Sequence, residues 1–261
     1  MLTITITLLS IGLGIGAFFF VTTRASLMVY SHLERRPHSH VYWIYRSPLL
    51  IWLLDRQFIS SVILLFQYHR LVRRVLAPAC ADKAGKRLLQ VSCVFGDFTR
   101  RLASCYHRLG EVFILDIMHS EVRNAHRKLD ALKVREGCHF FQGDAGSMPF
   151  QDGAFDYVVS FFLFHELPPA MKRKVFDDCL RVLKPGGTFV YGEFHQPDSA
   201  LVSLLGKVYF WIFEPYARDM WSWNPALELP AAEWRIRREK VMGGYFQVVS
   251  LERLAAETAA A

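Results

Sequence analysis

Apolar residues fall into three patterns along this chain. From Leu2 to Val21 no side chain is charged, and a helix of that length spans about 30 Å, the thickness of a bilayer core. That run predicts a transmembrane anchor rather than a removed signal peptide, because no Lys or Arg precedes it and no small-x-small cleavage site ends it. From Leu49 to Val75, Trp52, Leu53, Ile59 and the run Val62 to Phe66 are interrupted by Asp55, Arg56 and His69. The charges argue against a second span. Two readings stand: one or two helices packed as a lid on the downstream domain, or an interfacial helix with Tyr42, Trp43, Tyr45 and Trp52 at headgroup depth.

The third pattern is a series of short, continuous apolar runs. Phe155 to Phe161 is a continuous apolar run of strand length, and Leu88, Leu89 and Val91, then Val112 to Asp116, Cys138 to Asp144 and Thr188 to Glu193 also read as strands. Strands buried on both faces of a parallel sheet read this way. Met171 to Leu183 has helical period and stops at Lys184-Pro-Gly-Gly187. A helix is also expected from Phe98 to Leu109. Strands alternating with helices predict an α/β fold with a mostly parallel sheet.

The first strand runs into a turn at Gly96, and Asp116 closes the next strand. Strand, turn and downstream acid are the layout of a nucleotide-binding βαβ unit, in which the acid bonds ribose hydroxyls. The usual first loop is altered, however. Gln90 stands where an acid normally ends the strand, and Ser92 and Val94 replace glycines. Downstream, Asp144 is placed to accept a bond from an adenine amino group.

Composition narrows the picture. At 261 residues the chain holds one catalytic domain and an appendage. Net charge +7 and a pI near 9.2 suit an anionic membrane surface. Basic residues are scattered and no nucleic-acid module is present, which argues against a nucleic-acid partner. Five cysteines without a C-x-x-C pair predict reduced thiols in a cytosol-facing compartment. Arg24, Arg35 and Arg36 after the anchor put the catalytic part on the cytoplasmic side by the positive-inside rule (the matrix face in a mitochondrion). The expected division is an anchor at 1–23, a helical, aromatic-rich extension or lid at 24–80, a Rossmann-like domain at 81–200, and an aromatic lid with closing strands at 201–254.

Residues 86 to 195 resemble class I S-adenosylmethionine-dependent methyltransferases. Asp116, Gly143-Asp-Ala145, Pro149-Phe150, Phe155-Asp156 and Leu183-Lys-Pro-Gly-Gly187 follow that family's order and spacing. A nicotinamide-binding Rossmann domain lacks the Asp144 and Lys-Pro-Gly-Gly features. Within the superfamily, Gln90-Val-Ser-Cys-Val-Phe-Gly-Asp97 resembles the loop of the rhodoquinone-biosynthesis proteins, with Phe95 where they usually have Tyr. Tyr42-Trp-x-Tyr45, Asp55-Arg-Gln57, Phe161-Phe-Leu-Phe-His-Glu166, His195-x-Pro197 and Glu214-Pro-x-Ala-x-Asp-x-Trp221 extend it over residues 41 to 223. The resemblance implies a seven-stranded sheet and exchange of a ubiquinone methoxy group for an amino group. S-adenosylmethionine would be the amino donor, and a divalent metal, manganese, would assist. Gln90 removes a negative charge near the cofactor's amino group, and an ammonium without its carboxylate is less favoured in the charged, non-nucleophilic form.

The cofactor-binding residues expected on this basis are Gln90, Ser92, Cys93, Val94, Phe95, Gly96, Asp116, Ile117, Asp144, Ala145 and Phe161. His165, Glu166, Glu193 and His195 are the catalytic candidates, and Asp97, His165, Glu166 and His195 the metal candidates. Each has a structural alternative: Asp97 as N-cap of the helix at Phe98, His165 as a cap near Pro168, and Glu193 and His195 as rim residues bonding loop backbone. Two rival functions are conventional methylation of a quinone precursor or other lipid, and a non-catalytic protein that kept the fold.

Overall fold

The apolar runs assemble into a seven-stranded sheet: β1 (Arg87–Val91), β2 (Glu111–Asp116), β3 (Cys138–Gln142), β4 (Phe155–Phe161), β5 (Leu183–Phe194), β6 (Trp234–Val241) and β7 (Phe246–Arg253). The computed structural model describes residues 2–34, 47–93 and 95–255. Arg35, Arg36, Tyr42, Trp43, Tyr45 and Val94 lie outside the described residues. Strand order is β3-β2-β1-β4-β5-β7-β6. Strands β1 to β5 are parallel, Leu89 lying opposite both Phe113 and Val158, and β7 runs antiparallel to β5 and β6. The chain order reverses between β1 and β4, which opens a ligand crevice at the carboxyl ends of these strands.

The continuous apolar runs are explained by burial. Leu88, Leu89, Val91, Ile114, Leu115, Val158 and Val159 are all completely buried. The third strand stops at Gln142 rather than Asp144, because Gly143 N–H turns to bond the Asp116 carbonyl at 2.9 Å. Lys184-Pro-Gly-Gly187 does not merely stop the helix. It is an irregularity inside β5, where Leu183 pairs with Phe155 and Thr188 with Tyr157, and Gly186 takes a φ of +77° that favours glycine.

The N-terminal part holds α1 (Leu2–Glu34), α2 (Pro48–Leu54), α3 (Gln57–Ile63) and α4 (Tyr68–Ala81). Helix α4 belongs to the core: Tyr68, Leu71, Val72, Val75 and Ala79 are buried against β4, β5 and the helix after β1. That next helix is α5 (Phe98–Tyr106), followed by α6 (His119–Ala131), α7 (Pro169–Arg181) and α8 (Ala200–Ile212). The cysteines depart from the expectation of reduced thiols. Cys80 on α4 and Cys105 on α5 are joined as a disulfide, with Cα atoms 6.0 Å apart, because the two helices pack side by side. Cys93, Cys138 and Cys179 are free thiols.

Within α1, Ile4–Val29 is long and apolar enough to cross a membrane, with mean hydropathy 2.2. Helix α8 packs on it through Phe20 and Trp211, whose ring centroids are 4.6 Å apart, and through an Arg24 bond to the Trp211 carbonyl. The outward side of α8 carries Leu201, Leu204, Leu205 and Val208, all exposed.

Candidate active site

Strand β1 delivers Gln90 to the base of the loop that follows it. The side chain is completely buried, and Nε2 donates to the Ser92 carbonyl at 3.0 Å and to Thr99 Oγ1 at 2.9 Å. Its Oε1 is buried without a hydrogen-bond partner among the described residues. Beyond it Gly96 has a φ of +87°, and a Cβ there would lie 2.7 Å from the Tyr68 hydroxyl. The turn therefore needs glycine for both conformation and space.

Asp116 ends β2 and closes the loop from the other side. Its Oδ2 accepts from Cys93 N at 2.7 Å and Ser92 Oγ at 3.1 Å, while Oδ1 accepts from Met118 N at 2.7 Å. Burial nonetheless raises the carboxyl to about 6. Two carboxylate oxygens offer about four acceptor sites, so these three bonds leave capacity for a ribose hydroxyl. Ile117 next to it is half exposed, an apolar surface for a flat ring. Asp144 lies in a turn and spends Oδ1 on Gly146 N at 2.7 Å; Ala145 beside it is half-buried. Phe161 is a floor rather than a wall: it is buried and stacks on Phe98 at 4.8 Å. The Cys93 thiol is buried and its pKa pushed well up by that burial. Phe95 is half-buried, and its carbonyl accepts a long bond, 3.5 Å, from the Tyr68 hydroxyl.

Asp97 takes the N-cap position of α5, but its side chain makes no capping bond. Its Oδ2 accepts from Arg100 and Arg101, each at 2.8 Å. Burial works against the charge, yet the two guanidinium groups hold the carboxyl below its ordinary range. Among the described residues no group of three or more His, Cys, Asp or Glu is arranged to hold a metal ion. The manganese implied by the resemblance finds no donor set among the described residues.

His165 caps no helix. It sits in a 3-10 turn, Phe164–Glu166, buried against the wholly buried Glu193, with Nδ1 3.2 Å from Glu193 Oε2 and Nε2 3.8 Å from Glu214 Oε2. Burial opposes charging the imidazole, but Glu193 first, then Glu214 and Glu166, raise it to about 9. These acids favour the imidazolium form. Around it Phe162, Phe194 and Phe246 form an apolar wall, with ring centroids 5.2 to 5.8 Å apart. His195 does not join. Its Nδ1 is 2.9 Å from the Gly244 carbonyl, so it is a rim residue. The sequence singled out Glu214 only as part of a resemblance; its place beside His165 has no local signal.

A second buried acid went unnoticed in the sequence. Glu121 on α6 is 3% exposed, and its Oε1 has no hydrogen-bond partner among the described residues. Burial, then the nearby Asp116 carboxylate, raises it from 4.5 to about 8. The folded state thus binds this proton more tightly than the unfolded state does. Stability is expected to fall by a few kcal/mol as pH climbs between those two values. Glu121→Gln should melt at a higher temperature than the parent near pH 8.5, with the gap closing towards about pH 5. Melting curves across that range check it; a gap independent of pH would remove Glu121 from this account.

Seven strands in this order, with a rebuilt loop and an acid at the second strand end, define a Rossmann-like class I methyltransferase fold. The chain superposes on a SAM dependent methyltransferase from Aquifex aeolicus with a TM-score of 0.56, covering 80% of this chain and 99% of that one at 21% identity. It also superposes on SAM-dependent methyltransferases from Methanosarcina mazei, with a TM-score of 0.52 at 18% identity over 69% and 97% of the two chains. Residues 57–224 match the ubiE/COQ5 methyltransferase family, and the chain belongs to it. A ubiquinone/menaquinone biosynthesis C-methyltransferase, UbiE, from Ectopseudomonas mendocina is 33% identical over 149 residues, 57% of each chain. A demethylmenaquinone methyltransferase from Bacillus cereus is 26% identical over 212 residues, 77% of this chain and 84% of that one. The chain thus spans little more than half the length of the first of these relatives.

The cofactor implied by this family is S-adenosylmethionine, and the residues fit it. Asp116 has acceptor capacity for the ribose, and Ile117 offers a face to the adenine. Gln90 Oε1 is a buried acceptor awaiting a donor, as an amino group at the methionine end would supply.

Proposed function

We propose that this chain uses S-adenosylmethionine to exchange a methoxy group of a membrane-borne ubiquinone for an amino group, forming rhodoquinone. The observation that carries this reading is the strand end. A neutral, completely buried Gln90, braced by Ser92 and Thr99, stands where a carboxylate would pair with the cofactor's ammonium. When bound, the cofactor would supply a primary amine as nucleophile. The methoxy group would leave as methanol with the amine's proton. Elimination across the cofactor's Cα–Cβ bond, with the Cβ proton passing to nitrogen, would leave the amino group on the ring. The chain's own part is to hold the quinone ring against the partly exposed Phe162, which is backed by the buried Phe194 and Phe246. The His165 imidazolium, balanced by Glu193, would donate to a quinone carbonyl and draw electrons from the ring carbon under attack.

The setting proposed is a membrane, with the catalytic residues on its cytoplasmic side. Supporting it are the apolar length of Ile4–Val29 and the exposed apolar side of α8 beside that helix. No nucleic-acid partner is proposed. The second reading is C-methylation of a quinone precursor, favoured by the similarity to UbiE.

The test is mass spectrometry of quinone extracts from a ubiquinone-making, rhodoquinone-free host expressing the full chain. Aminated quinone is expected. The triple change Gln90→Asp, Ser92→Gly, Val94→Gly should retain or tighten cofactor binding while the aminated product falls. Equal product from both proteins would mean that the loop does not redirect the chemistry. Methylated precursor without aminated quinone would establish the second reading.

A further inference from the structure

The acid that Gln90 replaces has a counterpart on another element. Asp55 lies in the bend between α2 and α3, and its Oδ1 accepts from Gly96 N at 3.0 Å. The same oxygen pairs with the Lys128 ammonium, which reaches across from α6. Next to it Tyr68, at the start of α4, accepts from Asp97 N at 2.8 Å. The N-terminal helices therefore roof the cofactor loop and place a carboxylate on its backbone. Asp55 is only 15% exposed at its side chain, and both of its recorded bonds fall on Oδ1.

The surroundings select the charge of a ligand. Asp55, Asp116 and Glu166 all lie near enough to Glu121 to act on it, with Lys128 as the opposing cation. Two oxygens in this region, Gln90 Oε1 and Glu121 Oε1, are at least nine-tenths buried and have no hydrogen-bond partner among the described residues. The Asp55 and Asp116 carboxylates, with the buried Gln90 acceptor lacking a donor, complement a primary ammonium and repel a carboxylate.

We propose that Asp55, carried in by the N-terminal helices, receives the ammonium of the cofactor's amino-acid end in place of a strand-end acid. The inference rests on S-adenosylmethionine binding; a carboxylate partner favours the charged, non-nucleophilic ammonium, so on the amino-transfer reading this contact must break before attack. It moves the partner of that ammonium from the sheet edge to the roof of the site.

Calorimetry on the full chain with three ligands tests it. They are S-adenosylhomocysteine, its analogue without the amino group, and 5′-methylthioadenosine, which lacks the whole amino-acid end. The parent should prefer S-adenosylhomocysteine to the desamino analogue by about tenfold to a hundredfold, as expected for a charge-assisted hydrogen bond. Asp55→Asn keeps an acceptor for Gly96 N–H; it should erase most of that preference and leave 5′-methylthioadenosine binding unchanged. Lys128→Met, which removes the competing cation and leaves Asp55 in place, should widen the preference. Three results each overturn the proposal: no preference in the parent, an intact preference in Asp55→Asn, or a narrowed one in Lys128→Met. Tighter S-adenosylhomocysteine binding by Asp55→Asn also overturns it, since Asp55 would then occupy the place of the ligand's carboxylate. A parent that binds neither S-adenosylhomocysteine nor 5′-methylthioadenosine ends the cofactor reading itself, and the proposal with it.

Discussion

Glu193→Ala is expected to destabilise the protein by about 3–5 kcal/mol, the usual cost of leaving one half of a buried ion pair alone. Glu193 is wholly buried, and both of its oxygens lie within 3.3 Å of His165 Nδ1. It is also the first of the acids that raise His165 to about 9. A histidine raised in this way contributes stability that is complete below its ordinary 6.5 and is lost as pH climbs through about 9. Without Glu193, burial becomes the dominant influence, and the imidazole should titrate well below its parent value. Denaturant melts give the stability, and the ring-proton NMR shift of His165 against pH gives the titration. If His165 in the alanine variant still titrates near 9, Glu193 is not what holds its proton. Glu193→Gln, similar in shape and still an acceptor, should fold better while showing the same lowered titration.

Asp116→Ala should weaken S-adenosylhomocysteine by at least tenfold to a hundredfold. That range covers only the charge-assisted bonds to the ligand, worth about 1.5–3 kcal/mol. A larger loss is expected because the same carboxylate ties down Cys93 N–H and Ser92 Oγ, so its removal also frees the loop. Asp116→Asn separates the two effects. Its single acceptor oxygen can serve one loop donor, while its NH2 group faces the other. Calorimetry on folded protein is the check, and an unchanged affinity would falsify the assignment.

The sheet was legible because strands buried on both faces leave a record: the adjacent apolar pairs Leu88-Leu89 and Val158-Val159 break the alternation that a one-sided strand would show. Glu193 was legible for the same reason, being the end of such a strand. His195 was not. An i, i+2 spacing places two side chains on one face only while the strand lasts, and β5 ends at Phe194. One residue later the ladder ends, and the imidazole lies against the Gly244 carbonyl instead. Asp55, Lys128 and Glu121 were hidden for a different reason. They come from a bend and one helix that meet only over the loop, so no spacing within a segment announces them. The Cys80–Cys105 bridge is of the same kind, since two helices must first pack before the thiols are neighbours.

Lys172 gives the aromatic segment after α8 a different standing from the one its composition suggests. The lysine is completely buried in α7, and its ammonium donates to the Tyr216 carbonyl and to Asp219 Oδ1, each at 2.7 Å. Swinging residues 216–221 outward would strip both acceptors from a charge that has no water to turn to. The segment is therefore a fixed wall, and ligand traffic must pass elsewhere.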